Sequence, residues 1–241
     1  MIGQGDYDTV TVVPADGAFI VLLDEKPLRS PAGALLRLPT LALAQAVAEE
    51  WRAQGKAIDP LAMPQFRLAV TAIDRVRVER EAVLDRLAAY AETDLLCFRV
   101  SAPAELVARQ VAAYQPALDW LAARFGVTLA VTSELRGPPH PSGARAGLRA
   151  AIEGRDDFTL GALQALTIDL GSVALALAVA EGALSAEAVL AVSLTEETYQ
   201  NERWGFDAVA EAKRERLLQD VAAAARFLAL IAPTDGPGPR L

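Results

Sequence analysis

Residues 9–55 read TVTVVPADGAFIVLLDEKPLRSPAGALLRLPTLALAQAVAEEWRAQG, and the hydrophobic period changes inside them. Up to residue 38 the apolar residues come in short runs (TVTVV, AFIVLL, LLRL), separated by the turn formers of PADG, DEKP and SPAG. Such runs predict a β-meander. Asp16-Gly17 marks a tight hairpin, because the turn needs positive φ and glycine has no Cβ to clash. Ala18 to Leu23 is apolar on both faces, so the sheet needs a cover. From Thr40 onward the period is helical: Thr40 can cap, Ala, Leu and Val recur at helical spacing through Trp51, and Gly55 stops the run. This helix is the natural cover, and Trp51 falls in its last turn.

Working outward, the spacing predicts helices over 64–75 and 78–92, a short strand at LLCFRV (95–100) and a long helix over 103–125. In the last, Val107, Val111, Tyr114, Leu118, Leu121 and Phe125 form an apolar stripe, and Pro116 predicts a kink or a break. LRGPPHPSG (135–143) reads as a mobile loop. Helices follow over 144–153, 158–182, 185–203 and 206–231, the last burying Leu217, Val221, Ala224, Leu228 and Ile231. The expected fold class is α+β. A β-rich N-terminal domain with one covering helix occupies 1–60, a larger, mainly α-helical domain occupies 61–232, and a flexible tail occupies 233–241. No internal repeat or long heptad array is visible.

Composition narrows the function. The 241 residues are 53% apolar, enough for a sizeable core. Against 31 acidic residues stand 23 basic ones, and the formal charge of -8 repels a phosphate backbone. The basic residues are mostly arginines scattered singly among alanines and leucines, so neither nucleic acid nor an anionic membrane is expected as a partner. The N-terminus is acidic and lacks the basic start and apolar run of a secretory signal. The most apolar run, Leu170 to Ala180, is bounded by Asp169 and Glu181 and is too short to span a bilayer. With Cys97 the only cysteine, no internal disulfide forms and a reducing, cytoplasmic setting fits.

Catalytic groups are scarce. His140 is the only histidine, and Cys97 sits in an apolar LLCF run that reads as packed core. HExxH, GxSxG, GxGxxG and phosphate-loop patterns are absent, so no metal, no cofactor and no enzymatic activity are expected. What remains is TEETYQNERWG, where Glu196, Glu197 and Glu202 share a helix with Tyr199, Arg203 and Trp204. Glu196, Tyr199 and Arg203 lie on one stripe. This surface reads either as a solvated acidic face or as a receptor for a partner's Arg or Lys. Trp51 and Trp204 both stand near helix ends beside charge, and each reads either as a partner anchor or as core; Trp51 suits the core or the joint between domains better, while for Trp204 the two readings are balanced.

Five pieces carry a resemblance: LDEKPLRSPAGALLRLPT (23–40), ALAQAVAEEWRAQG (42–55), ETDLLCFRV (92–100), ALDWLAARFGV (117–127) and EETYQNERWG (196–205). In this order, from about residue 19 to about residue 208, the chain resembles the assembly chaperones of the F-type ATP synthase α subunit. The resemblance implies a β-rich N-terminal domain followed by a helical one. It also implies a non-enzymatic protein that holds the unassembled α subunit until the β subunit replaces it. It picks out Trp51, Glu196 and Glu197, and places members in the bacterial cytoplasm or the mitochondrial matrix. The chain departs from the family at two places. Asp24-Glu25-Lys26 stands where relatives often show Asp-Gly-Arg, without the glycine a tight turn favours, and Phe206 to Ala210 stands where they often continue with Trp and His. The alternative class is a small-molecule enzyme or ligand-binding protein with a pocket between its two domains.

Overall fold

The structure is a computed structural model and describes residues 7–134, 137–205 and 208–232. It falls into two compact units. The first takes residues up to 80, together with 156–162 and 226–232, and the second takes 81–155 and 163–225. Polar ties within the first unit, described below, hold residues 64–76 to the sheet.

In the first unit, β1 (Val10–Ala15) and β2 (Ala18–Leu23) form the expected antiparallel hairpin, with Ala15 opposite Ala18. Asp16 (φ 46°) and Gly17 (φ 76°) both take the left-handed conformation that matches strand twist. A second turn does the same without glycine: Asp24 and Glu25 stand at φ 46° and 66°. Its strain is offset by the Asp24 carboxylate, which accepts the amides of Asp8 and Thr9 and the Thr9 hydroxyl. So the tight turn persists where the family's glycine is missing. The third strand, β3 (Lys26–Pro27), is short. LLRL is not a strand of its own: Leu38 exchanges two backbone bonds with Phe19, and Leu36 donates to the Leu28 carbonyl. Among the described residues no strand pairs with the outer edge of β1, and Pro14, lacking an N–H, falls at a position facing that edge.

α1 (Leu41–Arg52) starts at Thr40, whose hydroxyl oxygen accepts the Leu43 amide, and packs on β1 and β2. Leu43, Ala44, Val47 and Ala48 are fully buried, and each large one contributes ~1.5–3 kcal/mol. Glu50 reaches from this helix to α2 (Pro64–Thr71), where its two oxygens accept the amides of Gln65 (2.7 Å) and Phe66 (2.8 Å). The side chain of Met63, the residue at the cap position, makes no capping bond, so Glu50 supplies the cap that the sequence lacks locally. α2 passes into a π-helical turn, Ala72–Val76, which turns Asp74 toward the Ser30 loop. There Asp74 accepts from the Ser30 hydroxyl and the Ala32 amide. These bonds fasten 64–76 to the sheet. Phe158 stacks on Phe227 at 6.3 Å, and Thr40 donates to the Leu230 carbonyl, which brings the later segments into the same unit.

The second unit is helical: α3 (Arg80–Ala89), α4 (Ala104–Phe125), α5 (Ala144–Glu153), α7 (Val173–Ala180), α8 (Ala186–Ser193), α9 (Thr195–Trp204) and most of α10 (Ala208–Ile231). α6 (Asp157–Leu170) begins in the first unit and ends in this one. Every residue from Val173 to Val179 is buried, as the apolar run predicted.

Four expectations are corrected here. LLCFRV is not a strand: Leu95–Cys97 is a 3-10 turn, because the buried Asp94 carboxylate accepts the Leu96 amide and turns the chain. α4 is not broken at Pro116, which lies on the exposed face where the carbonyl it leaves unpaired meets water. Its stripe is rotated at the start, with Leu106 and Gln110 inside and Val111 half-exposed, because Gln110 accepts the Val100 amide and the Arg99 guanidinium. The two long helices expected over 158–182 and 185–203 are each split. Gly171 (φ 65°) ends the first and the Ser172 hydroxyl oxygen caps α7, while the Thr195 hydroxyl bonds back to the Val192 carbonyl and turns the chain between α8 and α9. Residues 135, 136, 206, 207 and the tail from 233 lie outside the described residues.

Candidate partner-binding face

α9 carries the cluster singled out in the sequence, and it packs on α4 within the second unit. The helix places its five candidates in different environments. Tyr199 is 2% exposed and points into the protein. Two guanidiniums stand over its ring, that of Arg109 of α4 at 5.2 Å from the ring centroid and that of Arg203 at 4.5 Å. Such cation–π contacts are worth ~0.5–2 kcal/mol each.

Carboxylates hold both arginines. Arg109 donates to Glu202 at 2.7 Å and to Glu105 at 3.1 Å, and Arg203 donates to the other oxygen of Glu105. Arg203 is therefore engaged within the protein, although half of its side chain remains exposed.

Glu196 and Glu197 occupy the first turn, where the helix dipole favours negative charge. Both are half-buried. Glu196 accepts only a long bond from Gln200 (3.3 Å), and Glu197 has no hydrogen bond or ion pair among the described residues. Beneath them, Tyr114 of α4 is fully buried, and burial first, then the charge of Glu196, pushes its phenol up. The Arg99 guanidinium stands over the Tyr114 ring, 4.7 Å from its centroid. At the far end of α9, Trp204 is 77% exposed, the largest exposed side chain of the helix, and Gly205 (φ 88°) ends it.

Trp51 lies elsewhere, in the core of the first unit. It is 3% exposed, edge-on to Tyr7 at 5.9 Å and to Phe66 at 5.2 Å, and the Tyr7 hydroxyl donates to its carbonyl. Cys97 is fully buried, and burial pushes its thiol up to about 12, the opposite of an activated nucleophile. The His140 Nδ1 accepts the Ala130 amide, which ties the imidazole to a backbone segment. Among the described residues no three His, Cys, Asp or Glu side chains come together as a metal site requires, and no described helix is long and apolar enough to cross a membrane.

Sequence reading did not find Glu105 and Arg109. Their spacing of four on α4 was visible, but their role depends on a helix more than ninety residues away. Asp94 and Glu50, the two carboxylates that cap distant helices, were also missed.

The fold has close relatives among solved structures. A single-residue variant of Atp12 from Paracoccus denitrificans superposes with a TM-score of 0.91 at 39% identity, over 95% of this chain and 98% of that one. The crystal structure of Atp12 from the same organism gives 0.90 at 39% identity, over 95% and 99%. The Atu1473 protein of Agrobacterium tumefaciens gives 0.90 at 35% identity, over 95% and 86%. The family model described as ATP12 chaperone protein matches residues 6–122. A small antiparallel sheet followed by helices, shared at this identity over nearly the whole length, defines the class: a chaperone. More narrowly, the chain belongs to the ATP12 chaperone family, a family of ATP synthase assembly chaperones.

Proposed function

We propose that this protein binds the unassembled α subunit of the F-type ATP synthase, keeps it from aggregating, and yields it when the β subunit arrives. It acts by binding and not by catalysis. The observation that supports the reading most is the state of α9: among the described residues Glu197 lacks a partner and Glu196 has one weak one, while Trp204 is 77% exposed at the helix end.

An orphan α subunit exposes an apolar interface with unpaired charge, and such a patch drives aggregation. A chaperone must cover it reversibly. Carboxylates on an apolar border pair with a partner's Arg or Lys at modest net gain, which permits exchange for the β subunit. In this reading Glu196, Glu197 and Trp204 make the contact, while Tyr199 and Arg203 support it from behind. Trp51 holds the first unit together. The protein works in the cytoplasm, or in the matrix for organellar relatives.

The experiment is to mix the purified protein with isolated α subunit and to follow complex formation and light scattering. Complex formation with suppressed scattering is expected, and Glu197→Lys weakens both at unchanged melting temperature. If scattering of the α subunit is the same with and without the protein, the reading fails. If Glu197→Lys binds as well as the parent chain, α9 is not the contact.

A further inference from the structure

Among the described residues the buried Tyr199 hydroxyl has no hydrogen-bond partner, so the hydroxyl is not what a tyrosine brings to this position. The ring face is: Arg109 and Arg203 both stand over it. Those two guanidiniums pair with Glu105 and Glu202, and Glu105 bridges the two arginines. The result is a closed set of two positive and two negative charges around one aromatic ring. Because both arginines are satisfied there, neither is left to fold onto Glu196 or Glu197 of the same helix.

We propose that Tyr199 is a positioning residue: through this closed stack it fixes α9 on α4 and keeps the acid pair free for the partner. The inference rests on the reading of α9 as the partner contact. The ion pairs alone would hold the helix weakly, since each is about half exposed and screened by salt. The ring supplies what they lack, an attraction for both cations together with an apolar body that is out of water. Leucine keeps an apolar body, smaller than the ring, and offers no negative face, whereas phenylalanine keeps the face and drops only the hydroxyl, and Glu105→Gln leaves the packing volume unchanged.

The test uses the full chain with Tyr199→Phe, Tyr199→Leu and Glu105→Gln, and two readouts. The first is hydrogen exchange of the α9 amides, and the second is affinity for isolated α subunit. Tyr199→Phe is expected to match the parent chain in both. Tyr199→Leu and Glu105→Gln are expected to speed α9 exchange and to weaken the complex, each by about tenfold, the size of one lost cation–π or charge-assisted contact. The melting temperature of the rest of the chain is expected to stay in place. Unchanged α9 exchange in Tyr199→Leu overturns the proposal, as does faster exchange with unaltered affinity, or a phenylalanine variant as defective as the leucine one. If the parent chain itself fails to capture the α subunit, the functional reading falls, and α9 exchange alone then decides whether the stack holds the helix.

Discussion

The Asp94 carboxylate accepts the amide of Val173, 79 residues further along the chain, at 2.9 Å, and so caps the most deeply buried helix of the second unit. The same oxygen also takes the Ala174 amide, and its neighbour takes the Leu96 amide. Asp94 is fully buried, and the cost of burying its charge outweighs these bonds, which raises its pKa to about 6.

A pH dependence follows. A folded-state pKa above the unfolded one means that the native state holds the proton more tightly. The corresponding stability is complete below pH ~4 and is lost as the pH rises through about 6. At 1.36 kcal/mol per pKa unit the change is ~2–3 kcal/mol between pH 4 and 7. Urea unfolding across this range, compared between the parent chain and Asp94→Asn, checks it. The difference between the two curves is expected to shrink as the pH rises, and parallel curves would show that Asp94 does not titrate there.

Glu50 plays a similar part in the first unit. Glu50→Ala removes both acceptors at the start of α2, and the cost of a lost cap is about 1–2 kcal/mol. Thermal melting reads the loss. Exchange at the amides of Gln65 and Phe66 is expected to accelerate more than elsewhere in the unit.

Trp51 tests core packing. Its ring sits between Tyr7 and Phe66, so Trp51→Ala is expected to destabilise by ~3–5 kcal/mol. Among the described residues the indole N–H has no acceptor, so Trp51→Phe is expected to lose only area and to cost about 1–2 kcal/mol. Denaturant midpoints for the two variants separate these values. A larger loss for phenylalanine than for alanine contradicts the packing seen here.

Thr167 of α6 is fully buried, and its hydroxyl has no partner among the described residues. Replacing it with the isosteric valine removes a polar group that gains nothing. Thr167→Val is expected to leave stability unchanged or to raise it by up to about 1 kcal/mol, read by calorimetry.

Trp204 separates binding from folding. At 77% exposure it contributes little to the fold, so Trp204→Ala is expected to shift stability by no more than ~0.5 kcal/mol. As an interface anchor its loss costs about 2 kcal/mol of binding, some 30-fold in affinity for the α subunit. Titration by fluorescence anisotropy measures the affinity directly.

Much of the fold was legible where the determining residues are neighbours in the chain. The switch of period at Thr40, the Asp16-Gly17 turn and the apolar run before Ala180 each rest on local chemistry, and each appears as read. What was not legible depends on distant groups. Nothing near Pro64 announces that Glu50 will cap the helix, and nothing near Ser172 announces Asp94. The α4 stripe was misread at Val107 and Val111 because Gln110, a polar residue, is held inside by Arg99 and Val100. The splits at Ser172 and Thr195 had a local sign, a hydroxyl able to bond to nearby backbone, but the apolar pattern around them was stronger. On α9, the shared stripe of Tyr199 and Arg203 was visible, whereas the helix they face was not.

Pro14 has a bearing on life beside aggregation-prone chains. A strand whose free border offers neighbouring amides and carbonyls invites other extended segments to zip on. At this border one amide is missing outright, and the Val10 carbonyl is already occupied by the Arg52 side chain. Among the described residues, these two features leave fewer groups on that border open to cross-strand growth.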